Sequence, residues 1–192
     1  MSSSNLELID RHRTTAELEA GLDQIRRAPK DAGTLDLIVR RPRVDEREVL
    51  DCGELSLELG LVGDSWITRR SSRTPDGSPH PDMQLNLMNS RATALVAQHK
   101  DRWQLAGDQL YLDLDLSEAN LPAGSRFTIG AAVIEVSPQP HLGCKKFVSR
   151  FGLEAMQFVN SPLGRQLRLR GINARVVSGG VIRVGDMVRK IA

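Results

Sequence analysis

Apolar and polar residues alternate with a period of two along much of this chain, the pattern typical of half-buried β-strands. The alternation begins at Leu35, Leu37 and Val39 and is cleanest over residues 110–116, where four leucines share one side. Residues 54–59 alternate in the same way. We therefore predict a one-sided strand in each region, with all of these apolar residues pointing inward.

The C-terminal half carries further strand patterns. Residues 127–136 form a strongly apolar run that Gly130 divides into two strands. Residues 172–177 and 181–184 flank a Ser-Gly-Gly sequence, which predicts a β-hairpin. Residues 187–191 then provide a last short strand.

Helical spacing is confined to three regions. Residues 14–28 open with the pattern of a capping box, and apolar residues at i, i+4 and i+7 follow, so this region predicts one amphipathic helix of about four turns. Asn89 can cap a helix over residues 91–98. Apolar residues between 147 and 159 predict one or two helices, broken at Gly152.

Many short strands, few helices and frequent turn residues predict a mostly β fold, either an all-β or an α+β barrel. Strands and helices do not alternate through the chain, which argues against a parallel α/β sheet. The length of 192 residues corresponds to one domain or to one domain with an appendage. We assign residues 1–32 to an N-terminal polar segment with its helix, and residues 33–192 to the barrel domain.

Composition excludes several classes of partner. The net charge is only +2 and aromatic residues make up 4% of the chain, so neither a global charge nor a base-stacking surface indicates nucleic acid. The apolar runs are far shorter than the ~20 residues that span a bilayer, which predicts no membrane segment. The first residues lack the pattern of a secretory signal, so we expect a cytoplasmic protein.

Two cysteines, Cys52 and Cys144, are the only ones in the sequence. In a reducing compartment a disulfide between them is not expected. The sequence contains no CxxC pair and no HxxxH or HxxE spacing, so a metal held by protein ligands alone is not expected either. A metal carried by an organic cofactor and ligated by one thiolate stays possible. Phosphate-loop, dinucleotide-binding and nucleophile-elbow motifs are absent from the sequence.

Cys144 stands in the most distinctive stretch of the chain. The apolar run ends at residues 137–140, Ser-Pro-Gln-Pro, through which no strand or helix continues. Lys145 and Lys146 follow the cysteine directly, and positive charge stabilises the thiolate, the form that attacks electrophiles or binds a soft metal. The alternative is an inert buried cysteine beside solvated lysines. His141 can tune the thiol, although we expect a solvated loop histidine.

Arginines cluster in two other places. Arg40 and Arg41 end the first strand and form either an exposed turn or part of an anion site. The polar loop of residues 69–82 contains three arginines, which either clamp a phosphate or carboxylate or remain solvated. Gly63 allows close backbone approach, and Asp64 can cap a turn.

Several segments, taken in order, resemble the MOSC domain, the C-terminal module of molybdenum cofactor sulfurases. They are Gly-Leu-Val-Gly-Asp at 60–64, Gln-Leu-Asn-Leu-Met-Asn at 84–89, Gly-Asp-Gln-Leu at 107–110, residues 121–130, Val-Ile-Glu-Val at 133–136, Gly-Cys-Lys at 143–145, and residues 171–186. The resemblance covers residues 35 to 191. It implies a pyruvate-kinase-like β-barrel in which Cys144 matches the cysteine that carries sulfur as a persulfide or ligates molybdenum.

The chain departs from the sulfurases because it has no pyridoxal-phosphate desulfurase domain, and so no pyridoxal phosphate site is expected. It looks like a stand-alone bacterial-type member. For a pterin cofactor bound as the resemblance implies, Cys144 would be the catalytic residue and metal ligand. The candidate cofactor-binding residues would be Lys145, Arg40, Arg41, Arg69, Arg70, Arg73, Gly63 and Asp64.

Two functions follow from the resemblance. In the first, the protein binds molybdenum cofactor through Cys144 and reduces N-hydroxylated compounds with electrons from a redox partner. In the alternative, Cys144 carries a persulfide from a cysteine desulfurase to a metal-sulfur cluster or cofactor. The two differ in whether the thiolate holds a metal or a sulfur atom.

Overall fold

A computed structural model of the protein describes residues 11–191. The strands are β1 (Ala32–Arg40), β2 (Glu48–Leu50), β3 (Cys52–Ser56), β4 (Gly60–Leu61), β5 (Leu85–Asn89), β6 (Leu110–Asp113), β7 (Arg126–Ile129), β8 (Ala132–Val136), β9 (Ile172–Ser178), β10 (Gly180–Arg183) and β11 (Met187–Lys190). The helices are α1 (Thr15–Ala20), α2 (Leu22–Arg26), α3 (Ser90–Ala97), α4 (Lys145–Phe151), α5 (Leu153–Asn160) and α6 (Pro162–Gln166), with 3-10 helices at Ser65–Thr68, Pro81–Met83 and Lys100–Ala106.

Seven strands close into a barrel in the order β11-β7-β8-β9-β5-β6-β1, because β1 pairs back with β11. The closing contact is antiparallel and sets Ala32, Gly33 and Thr34 opposite Arg189, Val188 and Met187. Among the barrel strands only β5 and β6 pair in parallel. Strand β2 extends the sheet beside β1, and β10, β3 and β4 form a separate small sheet. The prediction of a barrel is confirmed, and of its two alternatives the α+β barrel is the one observed.

Apolar residues form two clusters, one drawn from the barrel strands and the other shared between the barrel and the helices. Strand β1 contributes residues to both clusters, because its register shifts between Leu35 and Leu37. Leu35 and Ile38 belong to the first cluster, and Leu37 and Val39 belong to the second. The prediction that Leu35, Leu37 and Val39 share one face is therefore wrong. A β-bulge reverses the alternation after the bulged residue.

Three other strand predictions differ from the structure. Residues 110–112 are buried on both faces, because Tyr111 belongs to the cluster under the helices. Strand β3 ends at Ser56, so Leu57 and Leu59 are 59% and 39% exposed. The predicted hairpin of residues 172–184 is absent, because β9 pairs with β5 and β8 while β10 pairs with β3.

The helix predictions hold better. The capping box is confirmed, with the Glu17 carboxylate accepting from the Thr14 backbone N–H at 2.8 Å. The predicted single helix is two, α1 and α2, which meet at Gly21. Asn89 caps α3, and the break at Gly152 separates α4 from α5. The remainder of the predicted polar N-terminal segment, residues 1–10, lies outside the described residues.

No helix between residues 11 and 191 has both the length and the apolar character needed to cross a membrane. Cys52 and Cys144 are both free and exposed. The alternative interpretation of Cys144 as a buried cysteine is therefore wrong.

Candidate functional site

Cys144 borders an open cavity of about 250 Å³ beside the barrel. The cysteine immediately precedes α4 and is exposed. The cavity wall is rich in cations and is formed by Arg41, Val44, Asp45, Arg47, Arg69, Asn86, Ala106, Gly107, His141, Cys144, Lys146, Phe147, Arg150 and Arg170. We call it the Cys144 cavity.

Two side-chain amides, one buried and one partly buried, hold the segment that presents Cys144. The side-chain amide of Asn173 donates to the carbonyl oxygens of Gln139 and Pro140 at 3.1 and 3.2 Å. Asn160 accepts from the Gly143 N–H at 2.9 Å and donates to its carbonyl oxygen at 3.0 Å. The two prolines supply no N–H to a sheet, so side chains satisfy this irregular backbone instead.

Arg41 forms one wall of the Cys144 cavity. Its Nε and Nη2 donate to the two carboxylate oxygens of Asp64 at 2.8 and 2.9 Å, and both side chains are almost completely buried. Its Nη1 donates to Asn86 Oδ1 at 2.8 Å and to the Gly107 carbonyl oxygen at 2.9 Å. Asp64 also accepts from the Trp66 N–H at 2.9 Å. The guanidinium is thus fixed, and Asp64 neutralises its charge.

His141, Asp108 and Arg170 form a second buried group in the same wall. His141 Nε2 lies 2.7 Å from Asp108 Oδ1, and Arg170 Nη1 lies 2.7 Å from Oδ2. Burial by itself would raise the pKa of Asp108, but the charge of Arg170 and the contact with His141 hold it below its ordinary value. The carboxylate therefore stays ionised and accepts hydrogen bonds from both partners.

Burial, followed by the charge of Arg170, lowers the pKa of His141. The neutral ring donates its Nε2 proton to Asp108, which leaves Nδ1 as the basic nitrogen. The His141 side chain is only 14% exposed, so the expectation of a solvated loop histidine is wrong. The reason is its contact with Asp108, which no local pattern reveals.

The remaining cations crowd one another. Burial, and then the charges of Arg150 and Arg41, lower the pKa of Arg47. Burial and the charge of Arg41 lower the pKa of Arg69 in the same way. Within the described part of the chain, Arg47 Nε is buried with no hydrogen-bond partner. Like charges that depress one another's pKa would be relieved by an anion.

Asp45 is the one carboxylate among the residues that line the Cys144 cavity. It accepts from Lys146 Nζ at 2.9 Å and lies 3.2 Å from Arg150 Nη2. Six Lys and Arg side chains line the cavity, against three carboxylates: this one, Asp64 behind Arg41 and Asp108 behind Arg170. The cavity is therefore electropositive.

Comparison with known proteins identifies the barrel that carries this cavity. The family profile described as "MOSC domain" matches residues 80–189, more than half of the chain. The chain belongs to the MOSC domain family. The match includes Cys144 and confirms the resemblance inferred from the ordered segments.

Solved structures support the fold of this MOSC protein. A crystal structure of a hypothetical protein is 22% identical, with a TM-score of 0.56, and the alignment covers 84% of this chain and 69% of that one. The YuaD protein from Bacillus subtilis is 17% identical, with a TM-score of 0.55 and coverage of 82% and 94%. YiiM from Escherichia coli is 21% identical, with a TM-score of 0.54 and coverage of 83% and 70%. These identities establish the fold alone, and no curated protein matches the chain.

Of the predicted site residues, Arg41 and Arg69 line the Cys144 cavity together with Cys144 itself. Asp64 lies behind Arg41. Gly63 has a φ of +83°, and a Cβ added there would lie 2.8 Å from Arg40 Cδ.

The other predicted residues lie away from the cavity wall. Arg40 pairs with Glu48, and Arg73 Nη1 donates to Gln139 Oε1 at 3.0 Å. Arg70 lines a smaller neighbouring cavity. Lys145 is exposed and does not line the Cys144 cavity, whereas Lys146 does. The cofactor-binding roles assigned to these residues stay predictions.

Four cations of the Cys144 cavity were absent from the predicted cofactor-binding residues, although the sequence placed one of them, Lys146, near the thiol: Arg47, Lys146, Arg150 and Arg170. For two of them a pattern existed, because residues 146 and 150 are four apart on α4, while Phe147 and Phe151 form its buried face. Arg47 and Arg170 lie far apart in sequence, and no spacing connects them to the cysteine.

Proposed function

We propose that this MOSC protein binds molybdenum cofactor in the Cys144 cavity, with Cys144 as the metal ligand, and reduces N-hydroxylated compounds. The observation that carries the proposal is the exposed Cys144 thiol at an electropositive cavity whose guanidiniums crowd one another. A soft thiolate suits a molybdenum–dithiolene centre, and clustered guanidiniums suit a phosphate.

The residues present fit such a group. Arg47 offers a buried Nε that has no partner within residues 11–191, which is costly unless a ligand accepts from it. Arg47 and Arg69 would hold the phosphate, since Asp64 already neutralises Arg41, and Asp108 already neutralises Arg170. Arg150, which shares the exposed Asp45 with Lys146, would add positive charge beside them. The cavity is open on one side, so a pterin can extend beyond its 250 Å³.

The residues of the chain would then orient the substrate and transfer protons to it. The bound cofactor would supply the exchange of two electrons. Conversion of an N–OH group to N–H takes up two electrons and two protons and releases water. His141 Nδ1, left unprotonated when Nε2 donates its proton to Asp108, is the lining nitrogen that would take up and pass on a proton. The electrons would come from a separate redox partner.

Elemental analysis tests the proposal. Wild type, Cys144→Ala and Cys52→Ala are purified from a host that synthesises molybdenum cofactor and from one that does not. Cys52 is the matched control because it is the other free, exposed cysteine. We expect molybdenum in wild type and Cys52→Ala from the competent host only, and its loss in Cys144→Ala. Wild type without molybdenum from the competent host would refute the proposal.

The exposure of Cys144 also favours a second function, the sulfur carrier. A persulfide carrier needs a thiol that a cysteine desulfurase can reach, and Cys144 is exposed. Incubation with a desulfurase and cysteine should give a sulfur adduct, seen by mass spectrometry, that Cys144→Ala lacks and Cys52→Ala retains. An adduct on both cysteines would indicate unspecific sulfuration.

A further inference from the structure

A second cavity, of about 300 Å³, adjoins the Cys144 cavity. His141 and Arg170 line both cavities, whereas Cys144 does not line the second. Arg165 and Arg168 line only the second, and we call it the Arg168 cavity. Its volume is at the lower end of the roughly 300–1,000 Å³ typical of ligand pockets, which suits a small molecule.

Arg168 lies at the C-terminus of α6. Its φ of +50° is that of a left-handed helix cap, because its N–H donates to the Arg165 carbonyl oxygen and the Leu169 N–H donates to that of Gly164. Its guanidinium is half-buried, and burial lowers the pKa of Arg168 while the charge of Glu118 opposes this. The end of α6 thus places a partly desolvated positive charge in the cavity wall.

One edge of the Arg168 guanidinium is open. Nη1 donates to the carbonyl oxygen of Leu121. Within residues 11–191, Nε and Nη2 have no hydrogen-bond partner, and both atoms are accessible to solvent. The same protein shows what this edge binds: Nε and Nη2 of Arg41 hold both oxygens of the Asp64 carboxylate, at 2.8 and 2.9 Å. The Nε–Nη2 edge fits a planar carboxylate with two parallel hydrogen bonds.

The charges around the cavity leave an excess of positive charge. Asp108 neutralises Arg170. Arg165 and Arg168 then face Glu118, the one carboxylate among the lining residues, and no ion pair joins Glu118 to either arginine in the described part of the chain. An anionic ligand would be favoured here and a cationic one disfavoured.

Part of the remaining wall is apolar, beside the polar Ser137 and Gln139. Leu142 is 42% exposed, and the buried Val159 and Ile172 line the same cavity. Pro138 and Pro140 add further apolar surface. Contact with this apolar surface would remove hydrocarbon of the ligand from water, which is favourable. The ligand should therefore have an apolar body beside its charge.

We propose that the Arg168 cavity is a second binding site that takes a small organic acid, with its carboxylate on the Nε–Nη2 edge of Arg168 and its apolar body against Leu142. The proposal goes beyond the chemistry at Cys144 and does not depend on what Cys144 binds. Because His141 belongs to both walls, an occupant of this site would lie next to the proton-carrying group of the Cys144 cavity.

Benzoate is the probe, followed by NMR titration of the backbone amides and of the arginine Nε–H signals. Wild type should bind it at one site, with shifts at Arg168 and Leu142. Benzamide, which has the same shape and no charge, should bind more weakly. Arg168→Asn, chosen because asparagine tolerates a left-handed φ, should weaken benzoate about ten- to a hundredfold. Arg168→Lys keeps the charge without the two-pronged edge and should also bind more weakly than wild type.

Leu142→Ala provides a test that leaves every arginine in place. It should weaken benzoate and leave acetate unchanged, because only benzoate contacts the apolar wall. Cys144→Ala and Arg189→Gln should bind benzoate as wild type does. Failure of wild type to bind benzoate, equal binding by Arg168→Asn, or loss of binding in Cys144→Ala would each overturn the proposal. Loss in Cys144→Ala would place benzoate in the Cys144 cavity.

Discussion

Arg41 and Asp64, 23 residues apart in sequence, are joined by three hydrogen bonds, two of them from the guanidinium, in a nearly solvent-free part of the cavity wall. The sequence predicted both as cofactor-binding residues. Their contact indicates a structural role. A guanidinium that already binds a buried carboxylate and two further acceptors keeps its position whether or not a ligand is bound. Arg41 therefore sets the shape of the Cys144 cavity, and its less satisfied neighbours are the residues that we propose to bind the ligand.

Removal of the Asp64 charge should strongly destabilise the protein. Asp64→Asn leaves the Arg41 charge buried, and we expect a loss of about 3–5 kcal/mol in the free energy of unfolding, measured in urea. Glu48→Gln, which breaks the more exposed pair with Arg40, is the control and should cost less than about 1 kcal/mol. Similar losses in both variants would contradict the role assigned to the buried pair.

His141 should make stability depend on pH. Its folded-state pKa is lowered below the unfolded value of about 6.5, so its contribution is present above that pH and is lost as pH falls. Between pH 7 and 5 the free energy of unfolding should fall in wild type and fall less in His141→Gln. His99→Gln removes an exposed histidine and should keep the wild-type slope. Equal slopes in all three proteins would exclude this role for His141.

Positive charge at the cavity should select anionic reagents at Cys144. The rate of alkylation by iodoacetate, relative to neutral iodoacetamide, should be several-fold higher at Cys144 than at Cys52, which has acidic neighbours in sequence. Mass spectrometry resolves the two cysteines, and added salt should reduce the difference. The double change Lys146→Gln and Arg150→Gln should reduce it as well. Identical ratios at both cysteines would contradict an electropositive cavity.

Arg47 should serve binding more than stability. Its pKa is lowered by burial and by the neighbouring charges of Arg150 and Arg41, and its buried Nε has no partner within the described residues. Arg47→Gln should therefore leave the free energy of unfolding unchanged or raise it, while weakening pyrophosphate binding by about tenfold. Thermal unfolding with and without pyrophosphate measures both effects. A large loss of stability without pyrophosphate would show that Arg47 is structural.

The sequence by itself determined the features that depend on neighbouring residues. The capping box at Thr14 and Glu17 spans three residues, and the break at Gly152 depends on one, so a local pattern records each. The ordered MOSC segments fixed the fold family and singled out Cys144. Period-two alternation located most strands, because an exposed face and a buried face leave different residues on the two sides.

Tertiary structure decided what lies around the cysteine. The bulge in β1, the burial of both faces of β6 and the separate partner of β10 all depend on which element packs against a strand, and alternation carries no information on that. The contacts of Arg41 with Asp64, and of Asp108 with His141 and Arg170, join positions 23, 33 and 62 residues apart. Only the folded structure brings such residues together. The free energy of an ion pair depends on the distance between the charges and on their burial, and the spacing of the two residues along the chain reveals neither.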